Sequence, residues 1–115
     1  MSYRRRSSKQ YLVRKRRWCL NAYSSLDRAT RAVREAIIAR DKRKAQKALD
    51  DFIDSVSMTR TYCEGIDWEI ASKADEKARE VYRLVSKGNF DEAFAKLVSL
   101  DGEAFRLKEE ICKNI

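Results

Sequence analysis

The chain has 115 residues, 43% hydrophobic and 38% charged, with a net charge of +8 and neither proline nor histidine. That is one domain of ordinary size with enough apolar residue for a core, in a composition rich in Ala, Leu, Lys, Arg and Glu that favours helix. The longest apolar runs span three or four residues, which argues against a membrane span, and the lack of histidine and of any CxxC spacing argues against structural zinc.

All of the net charge sits at one end. Residues 1–17 hold Arg4, Arg5, Arg6, Lys9, Arg14, Lys15, Arg16 and Arg17 and no acid, which is +8. The remaining 98 residues sum to zero. A charge that dense repels itself and calls for a polyanion outside the chain. Residues 1–8 read as a basic tail and residues 9–115 as one helical domain. An Arg- and Ser-rich, acid-free start is also the composition of a transit peptide, although here it flows straight into a helical pattern.

The first helix is expected over residues 8–39, with Ser7 or Ser8 as its cap and a length of roughly 45 Å. Leu12, Cys19, Leu26 and Val33 hold one heptad site, and Ala22, Ala29 and Ala36 hold the alternating one, with Lys15 as the exception. Steps of three and four sustained this long are a strong helix signal, and the alanines let a partner helix come close. The opposite face carries Arg14, Arg17, Asn21, Ser24, Arg28 and Arg31, so the basic tail continues as a ridge along a rod.

Arg40 and Asp41 make a turn, with Asp41 as the next cap. The second stripe is Ala45, Leu49, Phe52, Val56, Thr59, Cys63, Ile66 and Ile70. Gly65 interrupts it, with Asp67 able to restart a helix. A break between Gly65 and Ser72 is expected, and Ser72 to Asp75 has the spacing of a capping box, with Asp in place of Glu or Gln. A third helix uses Ala74, Ala78, Val81, Tyr82 and Val85, and Lys87-Gly88-Asn89 stops it. The fourth stripe is Ala93, Leu97, Leu100, Ala104, Leu107 and Ile111, on one helix over residues 91–113. No strand pattern occurs. Shifted by 45 residues, Arg34-Glu35 falls on Arg79-Glu80, an echo expected of two related hairpins or simply of any two helical hairpins.

Cys19, Cys63 and Cys112 are odd in number and far apart. They are expected as reduced thiols, the first two buried, in a cytoplasmic or organelle interior.

The basic tail and ridge suit nucleic-acid phosphates, since each neutralised phosphate releases a counterion. Arginine's planar fork matches phosphate and stacks on bases. Tyr3, Tyr11, Trp18 and Tyr23 are interleaved with the charges, a mixture suited to unpaired bases and so to RNA ahead of DNA. Trp18 and Tyr23 also fit positions flanking a core. A solvated tail, an anionic membrane surface and an acidic protein partner are the other readings of the charge. Asp50, Asp51 and Asp54 on the second helix lack a further ligand in phase and read as an exposed ion-pair face, so no metal is expected. No phosphate-cradling glycine loop or nucleophile motif occurs. Neither catalysis nor a cofactor is expected.

The stretch Ala36-Ile37-Ile38-Ala39-Arg40-Asp41-Lys42-Arg43-Lys44-Ala45-Gln46-Lys47-Ala48-Leu49 resembles the first inter-helix turn of ribosomal protein twenty of the bacterial small subunit. The likeness covers roughly residues 10–65. It implies a helical bundle whose Arg14, Lys15, Arg16, Arg17, Arg28 and Arg31 face ribosomal RNA. The family's third helix is strongly basic, whereas here Gly65 is followed by Asp67, Glu69, Asp75 and Glu76.

The expectation is therefore an all-α, antiparallel up-down four-helix bundle built from two hairpins, acting as a non-enzymatic nucleic-acid-binding protein. Its contacts would be Arg4, Arg5, Arg6, Lys9, Arg14, Lys15, Arg16, Arg17, Trp18, Arg28 and Arg31. The acidic half would meet protein neighbours. The rival expectation is a helical assembly protein, a homodimer or an adaptor whose basic tail binds an acidic protein.

Overall fold

The four apolar stripes become four helices in the computed structural model, which describes the backbone of residues 2–113 and the side chains of residues 13–113. They are α1 (Ser2–Ile38), α2 (Lys42–Tyr62), α3 (Trp68–Ser86) and α4 (Phe90–Lys113). No strand occurs among the described residues. Each helix packs on its chain neighbours and α4 returns to α1, a closed ring consistent with a bundle.

The two outer turns share one construction. Asp41 N–H donates to Ala36 C=O and Arg40 N–H to Ile37 C=O. Asn89 N–H likewise donates to Leu84 C=O and Gly88 N–H to Val85 C=O. These bonds satisfy the last carbonyls of a helix and require a left-handed residue at the pivot. Gly88 supplies it at φ 78°, whereas Arg40 holds the same place at φ 54°. Gly88 adopts that conformation without penalty, and Arg40 does so at a cost of roughly 1–2 kcal/mol. Equivalent positions are thus Arg40 with Gly88 and Asp41 with Asn89, out of register with the 45-residue echo, which would set Asp41 on Ser86. Asp41 caps α2 as expected, its carboxylate accepting from Lys44 N–H at 3.1 Å.

Three local expectations are corrected. The α1 backbone begins at Ser2, not near residue 8. A serine caps a helix only where the chain ahead of it leaves the helix, and no glycine or proline precedes Ser7. The expected tail, residues 1–8, lies outside the described side chains. The α2–α3 break falls at Gly65 with Asp67 restarting the helix, as the sequence allowed, but the capping box at Ser72 does not form. Cys63 closes α2, Gly65 turns at φ 73°, and Asp67 caps α3 by accepting from Glu69 N–H at 2.8 Å. Ser72 sits inside α3 and accepts from Arg60 Nη2 at 3.0 Å. Asp67 is as good a cap as serine and comes first after the glycine.

The third correction concerns the thiols. Cys19 of α1 and Cys63 at the end of α2 are buried as expected, yet they are joined in a disulfide with Cα atoms 5.0 Å apart. Placing two cysteines on facing stripes brings their Cβ atoms within bonding geometry, which spacing along the chain does not reveal. Cys112 is free and exposed.

The buried residues form one cluster along the seams, from Cys19, Leu26 and Val33 on α1 through Leu49, Phe52 and Val56 on α2 to Val81, Val85, Leu100, Leu107 and Ile111. Full burial of one such side chain contributes roughly 1.5–3 kcal/mol. The helices differ in length. With 37 residues α1 is about 55 Å long, and with 21 residues α2 is about 31 Å. Since α2 starts beside the end of α1 and finishes at the Cys19 bridge, the first turns of α1 run past it. The molecule measures 60 Å along its long axis.

Candidate nucleic-acid interface

Helix α1 carries the candidate contacts, and its partners sort them. Arg14, Arg16, Arg17 and Arg28 are exposed. Among the described residues Arg14, Arg17 and Arg28 form no ion pair or hydrogen bond. A guanidinium left this way is solvated and free to meet phosphate. Arg28 lines a hollow between α1 and α2 with Asp51, Asp54 and Met58, so acids of this chain lie close to it. Arg14 and Arg17 stand on the part of α1 that approaches or passes the end of α2.

Lys15 and Arg31 are matched internally, which departs from expectation, and Arg16 is not free of interaction either. Lys15 Nζ donates to Glu64 Oε1 at 2.8 Å, and this contact holds the Glu64 carboxyl below its ordinary value. Lys15 points toward the α2–α3 elbow because it occupies a seam position of α1 one turn before the buried Cys19. Arg31 pairs with Asp27 one turn before it on α1. Arg4, Arg5, Arg6 and Lys9 lie outside the described side chains.

Trp18 is 41% exposed, and its ring centre lies 5.0 Å from that of Tyr62 on α2, the planes tilted by 56°. It flanks the core, as its stripe position allowed, and still offers part of its ring to solvent. Tyr23 is half-buried against the core.

Sequence reasoning missed a second aromatic. Trp68 is 69% exposed at the start of α3. The Arg60 guanidinium lies over its ring, with Cζ 5.0 Å from the centre. The signal was present as a tryptophan beside a glycine elbow, but only the fold brings that elbow to Lys15. It also missed the basic start of α2. Lys42, Arg43 and Lys44 are exposed there and no acid stands in that first turn. Cations at a helix N-terminus oppose the helix dipole, so folding alone does not favour them.

The acidic half is largely engaged. Asp67 caps α3, Glu69 pairs with Lys73, and Asp75 pairs with Arg79. Asp51 pairs with Lys47, and among the described residues no group of three or more His, Cys, Asp or Glu side chains is placed to hold a metal ion. Among the described residues no helix is long and apolar enough to cross a membrane. No family model matches the chain, and no curated protein or solved structure matches it either.

Proposed function

We propose that the protein is a non-enzymatic nucleic-acid-binding bundle, taking RNA ahead of DNA, with α1 laid along a phosphate backbone. The observation that carries this reading is the pair Arg14 and Arg17, exposed and without an internal partner among the described residues, on the acid-free stretch of α1. Lys42, Arg43 and Lys44 extend the basic surface at the far end of the same rod. Within this reading the helices are ordered up and down, which the short outer turns and the closed ring of packed helices favour. A place in a ribonucleoprotein particle, as the resemblance at the first turn implies, belongs to the proposal too. The acidic α3 surface is where the chain departs from that family. The Cys19–Cys63 bond removes the argument for a reducing compartment, because disulfides persist in oxidising ones.

The test is a double variant, Arg14→Glu with Arg17→Glu. Helical content and unfolding midpoint should stay at wild-type values. Binding to a short single-stranded RNA at low salt should be lost, and for the wild type log affinity should fall linearly with log salt. Wild-type affinity that does not respond to salt sinks the reading.

A specific surface favours a second reading, assembly with another helical protein or copy. Phe94, Val98 and Phe105 are exposed on α4 at heptad-like steps, and Cys112 continues the row. A concentration-independent monomer mass would count against it.

A further inference from the structure

The elbow between α2 and α3 carries a feature that phosphate binding alone does not require. An indole as exposed as Trp68 leaves apolar area in water. Its position is nonetheless fixed. It is the first residue of α3, directly after the Asp67 cap. Arg60 backs one face of the ring, and Arg60 is itself held by its hydrogen bond to Ser72 Oγ. The exposure of the ring leaves the other face to solvent. Its edge borders a hollow of about 260 Å³ whose polar lining includes Lys15, Arg60 and Glu64.

The disulfide ties this elbow to α1. Trp18 adjoins Cys19, and Tyr62 adjoins Cys63 and backs the Trp18 ring. Two partly exposed aromatic rings, one under Arg60 and one in tilted contact with Tyr62, therefore flank the Cys19–Cys63 bridge. Arg14 and Arg17 lie within one turn of Trp18 on α1. Stacking aromatics beside cations that track a backbone are the combination by which single strands are held, because duplex base faces are already stacked.

We propose that Trp68, with Trp18 as a second platform, stacks an unpaired nucleobase, so that the polyanion is single-stranded. This rests on the nucleic-acid reading above and adds the base to the phosphate. A ring locked by Arg60 loses little freedom on binding, and its polar border accepts a base edge.

The experiment compares a short oligouridylate with an abasic strand of equal length and charge, at several salt concentrations. The wild type should prefer the oligouridylate by about tenfold. Trp68→Ala should remove most of that preference, the remainder resting on Trp18, and leave the salt slope unchanged, while Trp68→Phe should restore most of it. Because Trp68 is exposed, Trp68→Ala should unfold at the wild-type midpoint. Equal wild-type affinity for both strands overturns the inference, as does a Trp68→Ala variant that keeps the preference. Failure of the wild type to bind either strand at low salt overturns the nucleic-acid reading itself, which is a separate result.

Discussion

Asp27 shows how single residues decide which cations of α1 remain available. Its carboxylate accepts from Arg31 on its own helix and from Lys108 of α4, the latter at 3.1 Å. Arg31 first and Lys108 second hold its carboxyl below the ordinary 3.8, against a smaller opposing push from burial. A carboxyl with a lowered folded value contributes stability above the unfolded value, and that stability is lost as pH falls through the folded one. Asp27→Asn should therefore flatten the acid side of the stability profile below about pH 4. At neutral pH the variant should lose about 1 kcal/mol or less, since the pair is partly exposed. Urea midpoints measured from neutral to acid pH check this, and coincident acid limbs for the two proteins would contradict it. The same residue leaves Arg31 paired within the chain, a difference from Arg14 that spacing along α1 does not encode.

Among the elements, the α1–α2 pair is fastened at both ends. The Arg40–Asp41 turn closes one end, and the Cys19–Cys63 bridge closes the other. The bridge spans a sequence separation of 44 residues, for which the chain-entropy argument gives about 4 kcal/mol and typical proteins show about 2–4. Cys63→Ser should lower the unfolding free energy by an amount in that range, and reducing the wild type should give the same midpoint. If reduction leaves the wild-type midpoint unmoved, the bridge does not contribute as described. Helix α4 has a second apolar row besides its core stripe, Phe94, Val98 and Phe105. The core stripe Ala93, Leu97, Leu100, Ala104, Leu107 and Ile111 is legible from its steps, and every member is buried. The second row does not stand out in the sequence, because an amphipathic pattern shows one apolar face clearly and a neighbouring one only as noise.

At the scale of the molecule, packing and charge are separated along the long axis. Among the described side chains the core begins at Cys19, while four of the basic residues, Arg4, Arg5, Arg6 and Lys9, precede residue 13. Deleting residues 1–12 should leave the unfolding free energy within about 0.5 kcal/mol of wild type. The same deletion should weaken RNA binding and make the salt slope shallower by about 0.7 for each phosphate that is no longer neutralised. A deletion variant that fails to fold would mean that those turns pack on something. The opposite outcome, unchanged affinity with an unchanged slope, would confine the interface to residues 13 onward, Arg14 and Arg17 among them.

The amino-acid order was sufficient for four helices, for most of their described seam residues and for the one-sided charge, because these are local periodicities and counts that any helix must express; Ile66 and Ile70, placed on the second stripe, instead fall in the elbow and on α3. It also located the Asp41 cap and the Gly88 stop, which depend on residues within a few positions. Three things required the folded chain. The Cys19–Cys63 bond, the pairing of Lys15 with Glu64, and the meeting of Arg60, Trp68 and Lys15 all join residues that only the return of α2 along α1 brings together. Distance in space between residues far apart in the chain is set by how the stripes pack, and no single stripe carries that information.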